Sequence, residues 1–497
     1  MLQTYEQVDT VRKHVARRIS PQRKSELGQF MTPATVACFM TSLFSRSTLH
    51  TARLLDAGAG IGSLTGAFLD RFAARDAGFR SIQVAAYEID AGLRNHLVNT
   101  LAEHQSELPN LDCSIFPGDF IEEAVKLILA GSQRFSHAIL NPPYKKINSA
   151  GRERLLLRQA GIETVNFYSA FVALTIKLMQ PGGEIVAIIP RSFCNGPYYR
   201  PFRELVFTNV AIKRMHLFGA RDQAFKDDAV LQENIIILLE RGGLQGSVTV
   251  STSTDDRFID TETHVYPFEQ IVIPGDPERF IHVPTSPGQG QLEISPAIRS
   301  SLLETGLEVS TGPVVDFRLK AHLRPMPEQG TVPLLYPAHF AGQSVQWPRL
   351  GMKKPNAILR NDQTEKWLYP NGCYVVVRRF SSKEERRRVV ATVIHPKIFT
   401  SPMLGLENHL NVFHSRRKGI PESVARGLSV FLNSTQVDEQ FRRFSGHTQV
   451  NATDLRLLKY PSRETLTGLG LWAKTQDEIT QDKIDQKIES LAWQTTT

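Results

Sequence analysis

Short apolar runs alternate with amphipathic stretches between about residue 50 and residue 240, and this alternation constrains the fold more than any other feature of the sequence. The apolar runs are rich in Val, Ile, Leu and Ala and are typical of strands: ARLLDAG, QVAAYEID, HAILNPPY, GEIVAIIP and ENIIILLE. Stretches such as LTGAFLDRFAAR and FYSAFVALTIKLMQ lie between several of them and have helical spacing. The pattern predicts an α/β fold with a largely parallel sheet, whose ligands bind beyond the carboxyl ends of the strands.

The composition changes after Arg241-Gly242-Gly243, where Thr/Ser/Asp-rich and then Pro/Gly-rich segments replace the alternation. A chain of 497 residues is also too long for one core. We therefore predict two domains, residues 1–245 and 246–497. In the second, short β-like runs such as TVPLLYP, GCYVVVRRF and RRVVATVI predict a mixed α+β domain, and the final stretch, TQDEITQDKIDQKIESLAWQ, predicts an exposed polar helix.

The bulk composition excludes several classes of protein. No stretch approaches the roughly 18 apolar residues of a membrane span, and the N-terminus has no apolar core of a secretory signal. The four cysteines are far apart and form no CxxC pair, so neither a disulfide framework nor a metal site is expected. A formal charge of +8 is compatible with a polyanionic partner and equally with an ordinary basic enzyme. A cytoplasmic protein is expected.

A glycine-rich turn and two strand-end acids point to a cofactor. Gly58, Gly60 and Gly62 follow an apolar strand and precede a helix, so the backbone can approach a ligand that a Cβ would block. Their spacing does not match the usual dinucleotide fingerprint, and a purely structural turn stays open. Glu88 ends the next strand, where a carboxylate can accept from ribose hydroxyls, and Asp119 follows at a third position. Regular placement at successive strand ends favours a nucleoside-containing cofactor.

The strand FSHAIL stops at Asn141-Pro142-Pro143-Tyr144. Two prolines stiffen the segment and remove backbone donors, so the Asn141 side-chain oxygen and the Pro142 carbonyl can accept both hydrogens of a planar amino group. Such acceptors shift electron density onto a nitrogen that is otherwise a poor nucleophile, and transfer then needs mainly positioning. Tyr144 adds a face on which a base rotated out of a helix can stack. A strand-ending turn with a packed tyrosine is the structural alternative.

NPPY after a glycine-rich loop resembles the signature of amino-group methyltransferases, and the order of segments is similar to the gamma class of DNA adenine-N6 methyltransferases, the modification partners of type II restriction enzymes. The segment Gly28-Gln29-Phe30-Met31-Thr32-Pro33 stands where that class has its N-terminal cofactor motif. The resemblance implies a Rossmann-like sheet with helices on both faces. It implies contacts to S-adenosylmethionine from Phe30, Thr32, Pro33, Asp56, Gly58, Gly60, Gly62, Glu88, Asp119 and Asn141, and to the target adenine from Asn141, Pro142, Tyr144 and Phe225.

The blocks STGPVVDFR and YVVVRRF in the second half resemble the target-recognition region of PstI-type modification methylases. Basic clusters there can bind phosphates or read guanine edges, although any one of them could equally be a solvated surface. The candidates for DNA contacts are Lys353, Lys354, Arg378, Arg379, Arg386, Arg387, Arg388, Arg416, Arg417 and Lys418.

The resulting hypothesis is a site-specific, monomeric DNA methyltransferase that protects adenine in duplex DNA from a separate cognate endonuclease. A protein-glutamine N5-methyltransferase also uses NPPY, but little follows the sheet in that family, whereas half of this chain does. An RNA adenine methyltransferase suits the same pocket. A non-catalytic specificity protein with this fold is a further alternative. A fused nuclease is disfavoured because no additional paired-carboxylate and lysine motif is evident.

Overall fold

The computed structural model describes residues 8–15, 31–46, 49–73, 79–132, 134–219, 233–284, 297–342, 344–381, 385–444 and 449–493. The chain divides into two compact units, Met1–Gly290 and Gln291–Thr497. The division lies later than the predicted residue 245, because two strands that follow that residue, Val248–Ser253 and Glu262–Tyr266, pair with the sheet of the first unit. The Ser/Thr-rich segment thus completes the first core instead of opening the second.

The first unit is built on one nine-stranded sheet. Its strands are β1 (Thr51–Ala57), β2 (Ser81–Tyr87), β3 (Leu111–Phe116), β4 (Phe135–Leu140), β5 (Met179–Pro190), β6 (Val210–Phe218), β7 (Asn234–Arg241), β8 (Val248–Ser253) and β9 (Glu262–Tyr266). Its helices are α1 (Ala34–Ser42), α2 (Ser63–Ala73), α3 (Ala91–Glu107), α4 (Phe120–Leu129), α5 (Arg152–Gln159), α6 (Phe167–Leu178), α7 (Arg200–Asn209) and α8 (Phe268–Ile271).

The strand order is β3-β2-β1-β4-β5-β7-β6-β8-β9. The first five of these strands pair in parallel, as predicted, whereas β7 runs antiparallel between β5 and β6. The chain order reverses between β1 and β4, and a reversal of this kind opens a crevice at the carboxyl ends of the neighbouring strands. The glycine-rich turn follows β1 and the NPPY segment follows β4, so both lie at this crevice.

Helices cover both faces of the sheet, as predicted. Helices α1, α2 and α3 pack against the strand side chains that point to one face of the sheet. Helices α4, α6 and α7 pack against those that point to the other face. Every residue of β4 is buried, as are the last six residues of β5, which explains their uninterrupted apolar sequences. Burial on both faces holds the ends of these strands rigidly and so positions the segments that follow them.

The second unit is mixed α+β, as predicted. Its strands are β10 (Ile298–Ser300), β11 (Glu308–Thr311), β12 (Leu323–Arg324), β13 (Thr331–Leu335), β14 (Phe340–Ala341), β15 (Ser344–Val345), β16 (Ala357–Leu359), β17 (Leu368–Pro370), β18 (Tyr374–Arg378), β19 (Ala391–Ile394), β20 (Met403–Leu406), β21 (Leu410–His414) and β22 (Tyr460–Pro461). Its helices are α9 (Glu422–Leu432), α10 (Thr435–Phe444), α11 (Ala452–Leu457), α12 (Arg463–Lys474) and α13 (Gln481–Trp493).

Two glycines set the packing of the helices in this unit. A Cβ on Gly427 of α9 would lie 1.8 Å from the Leu466 carbonyl oxygen, and one on Gly470 of α12 would lie 1.7 Å from the Ser423 carbonyl oxygen. The two helix backbones therefore touch where a side chain would keep them apart.

The C-terminal helix α13 differs in part from the prediction of an exposed polar helix. It is mostly polar, but Ile484, Ile488 and Leu491 are buried. Their spacing of four and three residues places them on one face, so the helix packs by that face and is solvated on the other. Among the described residues, no helix is both long and apolar enough to cross a membrane.

Candidate active site

The glycine-rich turn is held against the end of β2. The amide groups of Gly58 and Ala59 both donate to the Tyr87 carbonyl, each at 2.9 Å. All three glycines of the turn have positive φ, which other residues adopt only with strain. A Cβ on Gly62 would lie 3.0 Å from Leu97, so this glycine also lets the turn pack on α3. A Cβ on Gly60 would meet nothing within 4 Å, because it would project into an open cavity.

Glu88 joins the glycine turn to the end of β2. Its side chain is 2% exposed, Oε2 accepts from the Gly60 amide at 2.8 Å, and Oε1 accepts from the Asp90 amide at 2.7 Å. Burial raises the pKa of Glu88, partly offset by these two backbone hydrogen bonds. The carboxylate therefore occupies a prepared position on the cavity wall, where it can accept from a hydroxyl of a ligand.

Two adjoining cavities follow the crevice. One of about 60 Å³ lies above the glycine turn, and one of about 200 Å³ lies above the ends of β2 and β3. They share Gly58, Glu88 and Pro143, so they form one groove. The predicted residues that line it are Thr32, Gly58, Gly60, Glu88, Asp119 and Asn141.

Asp119 is the N-cap of α4, and its Oδ1 accepts from the Ile121 amide at 2.8 Å. The wall around it is apolar: Ile89 is 56% exposed, and Phe120 and Phe171 line the same cavity. Sequence reasoning missed these three residues, because an apolar side chain beside a strand end is ordinarily core. The available signal was that Ile89 and Phe120 directly follow the two strand-end acids. Together they can hold a flat ring against a polar edge.

Asn141 stands at the opposite wall. Its Nδ2 donates to Thr32 Oγ1 at 3.0 Å, and Thr32 is itself buried. In this orientation of the amide, Nδ2 faces Thr32 and Oδ1 is the acceptor end. The hydrogen bond also links the N-terminal segment to the strand-end motif, two sequence features that lie 109 residues apart.

The rest of the NPPY segment is anchored in the core. Pro142 is buried, and within the described part of the chain its carbonyl accepts no hydrogen bond. The Tyr144 hydroxyl donates to the Ile188 carbonyl of β5 at 3.2 Å, and its ring lies edge-on to Tyr168 at 6.4 Å. The hydroxyl bond and the neighbouring ring determine the orientation of the Tyr144 ring.

Three predicted cofactor contacts do not line the groove. Gly62 packs on α3, and Pro33 is the N-cap of α1. Asp56 is fully buried beneath the turn, where its Oδ2 accepts from Thr65 Oγ1 at 2.6 Å. These residues shape the turn and its supports instead of facing a ligand. The predicted residues Phe30 and Phe225 lie outside the described residues.

Asp56 leads to a prediction on stability. Burial raises its pKa from 3.8 to about 7. An acid whose pKa is higher in the folded than in the unfolded state destabilises the folded protein as pH rises through that interval. We therefore expect Asp56→Asn to raise the melting temperature relative to wild type by an amount that grows between about pH 5 and pH 8. Thermal unfolding across this range tests it, with the exposed Asp112→Asn as a control, and a variant less stable than wild type at the upper pH would contradict it.

Comparisons with known proteins identify the family of the chain. The family model of the Eco57I restriction-modification methylase matches residues 69–225. The type II methyltransferase M.BsuBI of Bacillus subtilis is 54% identical over 99% of this chain and 98% of its own, and M.PstI of Providencia stuartii is 42% identical over 97% and 96%. The chain belongs to the type II methyltransferases. The resemblance to modification methylases is thereby confirmed.

The fold of this type II methyltransferase is similar to that of a solved structure over nearly its whole length. This structure is the type IIL restriction-modification enzyme MmeI, solved in complex with DNA. The match covers 98% of this chain and 79% of the MmeI chain, with a TM-score of 0.56 and 10% sequence identity. At that identity the likeness concerns the fold alone. It supports the predicted class, a methyltransferase sheet followed by a second, mixed unit.

The ten basic residues of this type II methyltransferase that were predicted to contact DNA fall into three groups. In the first, the guanidinium groups are engaged inside the protein. Arg379 donates to the Asn408 carbonyl and to Gln449, and Arg387 donates to the Ser434 carbonyl. Arg388 is 2% exposed and lies over the Phe441 ring at 5.5 Å. These three side chains join separate segments of the second unit, and their DNA contacts stay a prediction that these interactions do not favour.

In the second group the charge is partly neutralised: Lys354 pairs with Asp316 at 2.7 Å, and Arg378 pairs with Glu385 at 3.1 Å. The third group is exposed and has no carboxylate partner within the part of the chain that the structure describes. Its members are Lys353, Arg386, Arg416, Arg417 and Lys418. This group keeps the strongest candidates for a polyanionic ligand, since an unpaired surface cation gains most from a phosphate.

Proposed function

We propose that this type II methyltransferase transfers a methyl group from S-adenosylmethionine to N6 of an adenine rotated out of duplex DNA. The observation that carries the proposal is the Asn141 amide, oriented by Thr32 at the wall of the groove that also holds Glu88. An acceptor for an amino group and a site for a nucleoside thus adjoin each other. Pro143 lines both cavities and marks the junction.

The groove fits S-adenosylmethionine. The space above Gly60 would be filled by any side chain, Glu88 suits a ribose, and Asp119 with Ile89 and Phe120 suits an adenine ring. The bound cofactor supplies an electrophilic sulfonium methyl group. Thr32 and Asn141 lie at the other end of the groove, where the amino-acid part of such a ligand would end.

The chain's own part in the chemistry is to hold and orient the amino group. In the proposed site, Asn141 Oδ1 and the Pro142 carbonyl accept the two N6 hydrogens and favour a pyramidal nitrogen. The Tyr144 ring stacks on the extruded base, and Phe225 is the candidate for its other face. Positioning of this kind needs no side-chain nucleophile.

Several alternatives share the same pocket, and duplex DNA is favoured by two observations. M.BsuBI and M.PstI are type II methyltransferases that match nearly the whole chain, and MmeI, of similar fold, was solved in complex with DNA. A glutamine or RNA substrate has no such support. The proposal includes a monomer, a separate endonuclease acting on the same site, and a cytoplasmic location, where the chromosome is accessible.

Labelled methyl transfer tests the proposal. The full-length protein is incubated with methyl-labelled S-adenosylmethionine and unmodified plasmid DNA, and the product is digested to nucleosides. We expect the label in N6-methyladenine. Label in cytosine, or transfer only to RNA or protein offered in parallel, would overturn the assignment. The inactive variant Asn141→Ala, purified in the same way, measures any label that contaminating methylases transfer.

Substitutions of Tyr144 separate stacking from packing. We expect Tyr144→Ala to weaken capture of the extruded base by about 10- to 100-fold, the usual range for loss of one aromatic stacking face. Tyr144→Phe keeps the ring and removes the hydroxyl that bonds to the Ile188 carbonyl, so it should lose far less. A fluorescent base analogue at the target position reports extrusion. Equal defects in the two variants, or weakened cofactor binding in either, would be inconsistent with a stacking role.

A further inference from the structure

The tight turn that follows β21 is unusual in both conformation and composition. The Ser415 amide donates to the Lys418 carbonyl at 3.0 Å, and the Lys418 amide donates to the Ser415 carbonyl at 2.8 Å. Arg416 and Arg417 therefore occupy the two central positions, with φ of 49° and 61°. Turns of this kind favour Asn-Gly, because most side chains are strained at positive φ. Two adjacent arginines are among the less favourable choices for this backbone.

A network of buried polar groups holds the second arginine in place. The Arg417 amide donates to Nδ1 of His414 at 3.1 Å, so the His414 ring carries its proton on Nε2, which lies 2.9 Å from Ser310 Oγ. Ser310 Oγ is in turn 3.1 Å from the Tyr369 hydroxyl. Burial lowers the pKa of His414, which keeps the ring neutral and able to accept from the turn.

The Arg417 side chain is also committed. Its Nη2 donates to the Lys366 carbonyl at 2.9 Å, and its guanidinium lies 5.0 Å from the centre of the Tyr369 ring. These contacts join the turn to the short helix Glu365–Trp367, where Trp367 is 37% exposed and the Lys366 ammonium lies 5.2 Å from its ring. The result is a basic surface with one exposed indole, formed by Lys366, Trp367, Arg416, Arg417 and Lys418.

Arg416 differs from its neighbour. It is exposed at the tip of the turn, and in the described part of the chain no residue pairs with its guanidinium. Non-specific attraction to phosphates requires only a flexible cation, and so it does not account for a strained backbone braced by the side chains of His414, Ser310 and Tyr369. Rigid presentation of a planar fork is what recognition of a base edge requires.

We propose that Arg416 reads a guanine in the major groove of the target sequence and that Arg417 is the residue that positions it. A two-residue turn is narrow enough to enter that groove, and arginine can bond both O6 and N7 of guanine. The inference rests on the proposed function only in taking duplex DNA as the substrate.

Mapping of modified sites tests this assignment. Plasmid DNA is modified by the full-length enzyme and then sequenced by a method that detects modified bases, which gives the preference at each position of the target. For wild type we expect a nearly invariant G·C pair. In Arg416→Gly and Arg416→Lys the preference at that pair alone should fall by about 10- to 100-fold, the range for one bidentate contact. Glycine suits the backbone at this position, so its effect does not reflect misfolding.

Three further variants make the result specific. Arg279→Gly removes another arginine at positive φ, from the first unit, and should leave every preference unchanged. Lys418→Ala should weaken binding to all sequences alike, as loss of a phosphate contact does. Arg417→Ala should relax the same base pair as Arg416→Gly, and the double variant should be no worse than either single one.

The proposal is overturned if the Arg416 variants keep the wild-type preference at all positions, or if they weaken binding to every sequence equally. A wild-type target without a required G·C pair overturns it as well. Methylation of cytosine in place of adenine would refute the proposed function. The role of Arg416 would still be tested, because the mapped sequences report base preference independently of the methylated atom.

Discussion

Replacement of Asn141 by alanine should lower the rate of methyl transfer by about 10³-fold or more, the scale seen when a preorganised hydrogen-bond partner of a reacting group is removed. The physical reason is that Asn141 Oδ1 is one of two acceptors proposed to pull electron density onto the reacting nitrogen. Cofactor affinity should change by less than about threefold, because the main cofactor contacts are assigned to Glu88 and the glycine turn. Single-turnover kinetics together with calorimetric binding of S-adenosylhomocysteine separate the two effects.

Two controls accompany this variant. Thr32→Ala removes the partner that orients the Asn141 amide, so its rate should fall by a smaller factor. Asn209→Ala, on α7 and outside both cavities, should behave as wild type. If Asn141→Ala keeps more than about a tenth of the wild-type rate, the acceptor role is wrong.

Glu88→Gln should weaken cofactor binding by about 10- to 100-fold, as expected for loss of a charged hydrogen-bond acceptor. The substitution preserves shape, but an amide cannot accept at both Oε positions from the Gly60 and Asp90 amides and also accept from a ligand. Bound cofactor should therefore raise the melting temperature of the wild type much more than that of the variant. Titration calorimetry with S-adenosylhomocysteine gives the affinities.

The pH dependence provides a second readout. Because burial raises the pKa of Glu88, its carboxylate becomes protonated at a higher pH than an exposed one. Cofactor affinity of the wild type should therefore decrease as pH falls through that raised pKa, whereas the affinity of Glu88→Gln should stay nearly flat. Glu122→Gln is the matched control, because this half-buried residue of α4 lines neither cavity. A wild-type profile as flat as that of Glu88→Gln would contradict the role assigned to Glu88.

The placement of the polar site residues could be predicted from sequence for a geometrical reason. Gly60, Glu88, Asp119 and Asn141 each follow a strand of the predicted parallel sheet, and the carboxyl ends of parallel strands meet at one edge. Their convergence at this edge therefore follows from the alternation of strands and helices, without knowledge of any contact. The membership of Thr32 in the same site did not follow from geometry and was implied only by the family resemblance, and its hydrogen bond to Asn141 was not predicted at all.

Other features could not be predicted because the same residue types serve different purposes. Ile89 and Phe171 line the groove, but an apolar residue near a strand looks like core in either case. Strand β6 is not evident from the sequence, because Lys213 and Arg214 interrupt its apolar run. Asp56 looked like a cofactor contact, and only packing shows that it is buried against Thr65.

The basic residues of the second unit show the limit most clearly. By itself the sequence determined the sheet, the order of the strand-end groups and the chemistry that their side chains permit, since these depend on local spacing and residue type. Only the tertiary structure decided what each arginine contacts: Arg388 is enclosed, Arg417 is exposed but held against Tyr369, and Arg416 is presented to solvent. A guanidinium carries the same charge in all three places, and its role depends on neighbours brought together from distant parts of the chain.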